Sequence, residues 1–345
     1  MEQYENPLKT DGFAFVEFVT ENKNGLTDDF IKLGFTHIAS ANKHAVDLYQ
    51  QGEIRFFVNY CADKQTREFY KKHKSSPVSM GFYVEDPEFA LHEAVKRSAT
   101  KVSTNEDSVW DGIPAIYGIG GSIIYFVDRK NDFLQRFNLI NTVKEGYGLQ
   151  YIDHLTHNVY RGNMGNWADF YSKIFGFRQI RYFDIDGKQT GLFSKAMTSP
   201  CGKIKIPLNE SKDDKSQIEE FLTEFNGEGI QHIALSAKDI YQSISDIKKT
   251  GIKLLTTPDT YYELLDKRLP NHGEDLAKLK KLNILVDGTT VPKRKLLLQI
   301  FTENLIGPSF FEIIQRKGDD GFGEGNFQAL FDSIELDQIK RGVLA

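Results

Sequence analysis

The sequence predicts an α+β protein built of four β-α-β-β-β modules in two pairs, followed by a C-terminal helix. Three observations carry that prediction. One strand occurs twice: SIIYFVDR (122–129) and SFFEIIQR (309–316) share their serine, their apolar run and their closing arginine. A longer stretch repeats as well. SMGFYVEDPEFALHEAVKRSA from Ser79 aligns without gaps on HIALSAKDIYQSISDIKKTG from His232, so that Asp86 falls on Asp239 and Ser79 on His232. The helix-type segment GNWADFYSKIFGF of the third unit also echoes DDFIKLGF of the first. Self-similarity is a stronger fold signal than local propensity, because repeated units bury their apolar faces against one another.

In chain order, residues 1–11 form a polar lead-in and GFAFVEFVT alternates as a strand. LTDDFIKLGF reads as a helix with an acidic first turn. HIAS, AVDLYQQG and EIRFFVNY are short strands split by polar turns. The second unit runs from Ser79 through the helix PEFALHEAVKRSA to strands around AIYGIGG and SIIYFVD. Residues 131–148 read as a linker between an N-terminal domain at 1–130 and a C-terminal domain at 149–345. The third unit opens at YIDHLTHNVY and continues through the helix GNWADFYSKIFGF to strands RQIRYFDID, TGLFSKAMTS and KIKIPLNE. SKDDKSQIEEFLTEFNGEG is polar and then helical. The fourth unit starts at GIQHIALSAKDI, with the helix YQSISDIKKTG, and closes with KLLLQIFTE and SFFEIIQR. Between them lies a charged insertion at 261–281 with no legible motif. The tail is a glycine-rich loop and then a helix with Phe327, Leu330, Phe331 and Ile334 on one face.

Composition narrows the function. A chain of 345 residues can build two cores. Its net charge of −5 offers no footprint for nucleic acid or an anionic membrane. No apolar run approaches the ~20 residues of a membrane span. The N-terminus is polar and acidic, unlike a secretory signal or a transit peptide, which points to a cytoplasmic protein. The two cysteines, Cys61 and Cys201, lie in different halves and suggest reduced thiols. A metal site in this chain must therefore come from histidine and carboxylate.

The repeat shows where such a site lies. Glu312 sits among Phe310, Phe311, Ile313 and Ile314. A carboxylate there is costly to bury unless it is paired or binds a metal. The ordinary alternatives are an edge-strand Glu facing water or a pair with Arg316. The other copy has Tyr125 at the position of Glu312 and Ser79 at that of His232. The same strands thus form without these residues, so packing alone does not call for them. Two histidines and a carboxylate on separate strands suit a facial triad that leaves the opposite face of Fe(II) open. The first histidine is His154 or His157. Three apart on a strand, they point to opposite faces. Spacing to the GF turn favours His157, whereas an extra helical turn favours His154. His37, His44, His73, His92 and His272 show no contrast between copies and read as structural or exposed.

The motifs YIDHLTHNVYRG, KIKIPLNE, KSQIEEFL, GIQHIAL, LLLQIFTE, SFFEIIQR and GFGEGNFQALF follow one another in an order that resembles the 4-hydroxyphenylpyruvate dioxygenases of the vicinal oxygen chelate superfamily. The resemblance covers nearly the whole chain. It implies modules paired into two open barrel-like domains, the N-terminal one lacking the metal set. It also implies one Fe(II) per subunit on His154, His232 and Glu312. Substrate contacts are implied at Ser194, Asn209, Gln217, Gln231, Gln299, Phe301, Phe310, Phe322, Asn326 and Phe327, with Gln231, Asn209 and Gln299 taking part in catalysis. The implied reaction converts 4-hydroxyphenylpyruvate and O2 to homogentisate and CO2, in tyrosine and phenylalanine catabolism. A homo-oligomer, dimer or tetramer, and a gating role for the C-terminal helix are further expectations. The rivals are 4-hydroxymandelate synthase, an extradiol-type dioxygenase and a non-catalytic binding protein of the same fold. Asn209 and Pro207 in IPLNE favour the dioxygenase over the synthase.

Overall fold

The computed structural model describes residues 4–103, 107–130, 132–186, 191–326 and 328–330. The first unit contains β1 (Thr10–Val19), α1 (Gly25–Lys32), β2 (Thr36–Ala41), β3 (Val46–Gln51) and β4 (Ile54–Asn59). The connecting helix α2 (Lys64–His73) leads to β5 (Ser76–Val84), α3 (Pro87–Lys96), β6 (Ala115–Tyr117), β7 (Ile123–Val127) and β8 (Phe137–Leu139). The second half starts with β9 (Leu149–Val159), α4 (Met164–Phe175), β10 (Arg178–Asp186), β11 (Gly191–Thr198) and β12 (Lys205–Ser211). It continues through α5 (Gln217–Phe225), β13 (Gly229–Ala237), α6 (Ile240–Lys249), α7 (Asp259–Arg268) and α8 (Leu276–Leu282) to β14 (Leu285–Thr289), β15 (Lys295–Phe301) and β16 (Phe310–Lys317).

The strands form two sheets, ordered β6-β7-β5-β1-β4-β3-β2-β8 and β10-β11-β12-β9-β13-β16-β15-β14. Read from opposite ends, the two orders superimpose, with β7-β5-β1-β4-β3-β2 matching β16-β13-β9-β12-β11-β10. The repeat extends to the helix caps. Asp86 and Asp239, aligned by sequence, both cap their helices, accepting from Phe89 N and from Tyr241 N and Gln242 N. The closing arginines correspond too. Arg129 pairs with Asp11 on β1, and Arg316 pairs with Asp153 on β9, each at 2.8 Å.

The structure corrects the expected elements in four places. Helix α2 was not expected, although Asp63 and Thr66 make a capping box at its start. The second unit has one strand fewer than the fourth. Where the fourth has β14, itself not expected, the second has a single bridge between Lys101 and Ile116. Part of the expected linker is strand β8, which pairs with β2. The charged insertion folds as the helices α7 and α8. The expected C-terminal helix has begun by Glu324, with 324–326 and 328–330 helical and Leu330 packed against the core; Phe327, Phe331 and Ile334 lie outside the described residues.

The two halves share one core, and it braces the strand that carries Glu312. Alternation along β16 sends Phe311 to the face opposite its neighbour. Its ring meets Phe18, Phe30 and Phe56 of the first half at 6.3, 6.2 and 5.6 Å. The N-terminal half is thus a packed support behind the second sheet.

Register also shows what became of the equivalent site in the first half. Ala234 pairs with His154 on β9 and with Glu312 on β16. Gly81 pairs in the same way with Phe15 on β1 and with Tyr125 on β7. Phe15, Ser79 and Tyr125 therefore stand where the second half has His154, His232 and Glu312. A Cβ on Gly81 would lie 2.3 Å from the Phe15 ring, so the ring fills the space above that glycine. It stacks on Trp110 at 4.7 Å and 7°.

One acid is buried beside this aromatic plug. Glu17 pairs with Ser79 in the register that Thr156 shares with His232. Its carboxyl accepts from Asn59 (2.9 Å), Trp110 (2.7 Å) and Ser79 (2.7 Å). Burial outweighs these neutral donors and pushes its pKa up from 4.5 to about 7. The folded state thus binds a proton that the unfolded chain releases. Its stabilisation is complete below 4.5 and is lost as pH rises through about 7. At ~1.4 kcal/mol per unit, about 3 kcal/mol disappears over that window. Glu17→Gln keeps an acceptor for Asn59 and Trp110 and cannot ionise. Urea unfolding at acid and at mildly alkaline pH should show the wild type losing most of this stability and Glu17→Gln losing little. Equal pH slopes for the two proteins would refute the assignment.

Candidate metal centre

The second sheet brings two histidines and a glutamate together on its inner face. His154 lies on β9, His232 on β13 and Glu312 on β16, three adjacent strands. Ala234, between His154 and Glu312 in the register, is small enough to leave room above itself, and His232 precedes it by two on the same face. His154 Nε2 and His232 Nε2 point at the same oxygen, Glu312 Oε2, at 3.0 and 3.5 Å. The donor atoms of all three residues lie within 4.8 Å of one another.

Two β-bulges supply the neighbours that orient the histidines. Between the pairs Ala234–His154 and Leu235–Ile152, Asp153 is an extra residue on β9. Between Ile230–His157 and His232–Thr156, Gln231 is an extra residue on β13. A bulge breaks strict alternation, so consecutive side chains can meet. His154 Nδ1 donates to Asp153 Oδ1 at 2.9 Å, and His232 Nδ1 donates to Gln231 Oε1 at 3.0 Å. A carboxylate and an amide oxygen can only accept, so both rings carry hydrogen on Nδ1 and turn Nε2 inward.

Electrostatics preserve this arrangement. Burial works against a charge on Asp153, but Arg316 and His154 overcome it and hold that acid ionised well below the usual carboxylate range. Arg316 makes a bidentate pair with Asp153, both contacts at 2.8 Å. Its remaining donor reaches the backbone oxygens of Gly321 (2.6 Å) and Asp319 (3.1 Å). Arg316 therefore belongs to Asp153, not to Glu312. Burial likewise opposes charge on Glu312, and the adjacent histidines bring its pKa down to about 2. Glu312 Oε1 is buried with no hydrogen-bond partner among the described residues. Two inward-facing imidazoles, an ionised carboxylate and an orphaned oxygen fit a divalent metal of the facial-triad type; Glu312 and Asp153 raise the pKa of His154 against its burial, and a metal ion would take the place of the proton they favour there.

The two histidines left open by spacing have different surroundings. His157 lies on the other face, fully buried, with Nε2 2.7 Å from Tyr171 Oη. Burial pushes its pKa down to about 3, and it is a neutral core residue. The expected substrate contacts divide as well. Phe310 stacks on His232 at 5.0 Å, Phe301 meets Phe310 edge-on at 6.0 Å, and Phe322 meets His154 edge-on at 5.2 Å. Phe301 is directly across from Glu312. Ser194 faces Asn209 across β11 and β12. Gln299 is buried on β15 and bonds Asn326 at 3.1 Å. Gln217, the first residue of α5, is exposed, and nothing places it beside the histidines. Phe327 lies outside the described residues. Sequence reasoning missed Asp153 as the orienting acid and Arg316 as its partner. The DH pair in YIDHLTH was the available signal.

Comparison with known proteins now decides the family. Residues 4–139 match the family described as "Hydroxyphenylpyruvate dioxygenase, HPPD, N-terminal". Residues 151–265 match the "Glyoxalase/Bleomycin resistance protein/Dioxygenase superfamily". A 4-hydroxyphenylpyruvate dioxygenase from Legionella pneumophila (strain Corby) is 52% identical over 99% of both chains. The chain belongs to the 4-hydroxyphenylpyruvate dioxygenase family. A second member, from Pseudomonas aeruginosa, is 50% identical over 98% of this chain and 97% of its own. A solved structure of a mutant 4-hydroxymandelate synthase from Streptomyces coelicolor shares the fold, with TM-score 0.81 and 22% identity over 96% of this chain and 99% of its own. The chain is therefore a dioxygenase of the α+β glyoxalase type, as its motifs implied. Among the described residues, no helix is long and apolar enough to cross a membrane.

Asp153→Asn keeps the size of the orienting side chain and removes its charge. Outer partners of this kind typically support metal affinity by about 10- to 100-fold. Competition with a chelator should show a loss in that range. Unchanged affinity would mean that Asp153 does not support the site.

Proposed function

We propose that the chain converts 4-hydroxyphenylpyruvate and O2 to homogentisate and CO2, using one Fe(II) per subunit held by His154, His232 and Glu312. The observation that carries this reading is the buried Oε1 of Glu312, without a hydrogen-bond partner among the described residues, beside two imidazoles whose Nε2 atoms are aimed inward. When bound, Fe(II) supplies O2 activation and a chelating position for the keto and carboxylate oxygens of a 2-oxo acid. The chain supplies the rest. Asp153 and Gln231 hold both rings in the metal-binding tautomer. Phe301, Phe310 and Phe322 border the triad with apolar surface that excludes water and grips an aromatic ring. Ser194, Asn209, Gln231, Gln299 and Asn326 are neutral groups that can hold the keto acid and the phenol without competing for the metal's charge. Gln231 and Gln299 each have the amide oxygen engaged, which leaves Nε2 as the donor toward substrate.

The same reading assigns catalysis to 149–345 and support to 1–130, joined through 131–148. It includes a cytoplasmic homo-oligomer. The synthase alternative rests on a shared fold at 22% identity, far below the match to named dioxygenases. A non-catalytic role leaves the buried donor set without a purpose.

Iron-loaded protein given 4-hydroxyphenylpyruvate and O2 should yield homogentisate by chromatography. A chelator, or Glu312→Gln, should abolish turnover. Hydroxymandelate as product would transfer the assignment to the synthase. An iron-replete protein that consumed no O2 would remove the enzymatic reading.

A further inference from the structure

The insertion at 261–281 has a task that its sequence does not reveal. Its first helix, α7, is tied to the glycine-rich segment that follows β16. Tyr261 is 1% exposed, and its hydroxyl donates to Asn326 Oδ1 at 2.6 Å. The same hydroxyl accepts from Val286 N at 3.0 Å and from Arg268 Nη2 at 2.8 Å. Arg268 Nη2 also reaches Asn326 Oδ1 at 3.2 Å and Val286 O at 2.7 Å. Two donors thus converge on the carbonyl oxygen of Asn326. That fixes which way its amide faces, because only an oxygen can accept both. The Nδ2 of Asn326 is then turned to Gln299 Oε1, at 3.1 Å. Gln299 is fixed in turn, with its oxygen spent and its Nε2 left to donate.

The backbone of the segment is held at the same place. Gly325 N donates to Asp287 Oδ2 at 2.8 Å, and Arg268 Nη1 lies 3.5 Å from Asp287 Oδ1. A side chain at Gly323 or Gly325 would displace these partners. A Cβ on Gly323, whose φ is +78°, would lie 1.7 Å from Gln299 Oε1, and one on Gly325 would lie 2.3 Å from Asp287 Oδ1.

We infer that Tyr261 and Arg268 are positioning residues for substrate recognition, acting through Asn326 to set the amide orientation of Gln299. The inference rests on the dioxygenase reading, in which Gln299 contacts the aromatic 2-oxo acid. Neither α7 residue touches the triad. Their loss affects the grip on substrate and spares the metal.

Tyr261→Phe removes only the hydroxyl, and Arg268→Gln is a second route to the same disturbance should the first variant fold poorly. Each should raise KM for 4-hydroxyphenylpyruvate about tenfold, as expected for one misplaced hydrogen bond, with kcat within about twofold. Iron affinity should not change. Gln299→Ala removes the group through which Tyr261 acts, so adding Tyr261→Phe to it should raise KM no further. A merely structural role would multiply the two effects. Hydrogen exchange gives a readout independent of turnover. The amides of Gly325 and Asn326 should exchange faster in Tyr261→Phe, while those of β9 and β16 around His154 and Glu312 do not. Multiplied KM effects, an unmoved KM, or unchanged exchange at 325 and 326 would overturn the inference. A wild-type protein that makes no homogentisate, yet shows the expected exchange, would overturn the reaction assignment and leave the network standing.

Discussion

The structure depends on a buried carboxylate that the fold leaves incomplete. Glu312 has one oxygen facing two imidazoles and the other facing no donor among the described residues. A protein interior tolerates such a group when something outside the polypeptide completes it. Much of the second half serves this condition. Adjacent strands set the register, two bulges place Asp153 and Gln231 beside their histidines, and Arg316 keeps Asp153 charged. The first half contributes from behind, through Phe18, Phe30 and Phe56 against Phe311.

The duplicated half shows the same scaffold relieved of that condition. Phe15 occupies the space above Gly81, Trp110 stacks on it, and Tyr125 stands in place of the carboxylate. A polar cavity that no longer binds a charge is more stable when filled with apolar surface. Glu17 is a buried acid with three neutral donors, and burial raises its pKa against them. Two copies of one topology have thus settled the same interior position in opposite ways.

The segment after β16 joins the metal centre to the insertion. Arg316 holds its start through the oxygens of Asp319 and Gly321, while Tyr261, Arg268 and Asp287 hold 325 and 326. Phe322 lies between these clamps, against His154. One arginine therefore serves both the acid that orients a candidate metal ligand and the segment that carries Phe322.

The duplicated strands, the shared cap aspartates and the contrast of Ser79 with His232 and Tyr125 with Glu312 were all legible in the sequence, because register within a repeat carries over position by position. Helix α2, strand β14 and strand β8 were not. The first has an unusual capping pair, and the others are short strands at sheet edges, where few contacts shape composition. Sequence by itself determined the module order, the family and the half that bears the donor set. The resemblance named His154 over His157, and the tertiary structure gave the physical contrast between them; only the tertiary structure gave Arg316 to Asp153 and connected α7 to Gln299. Those choices depend on strand faces, bulges and contacts between distant segments, and a linear pattern does not contain them.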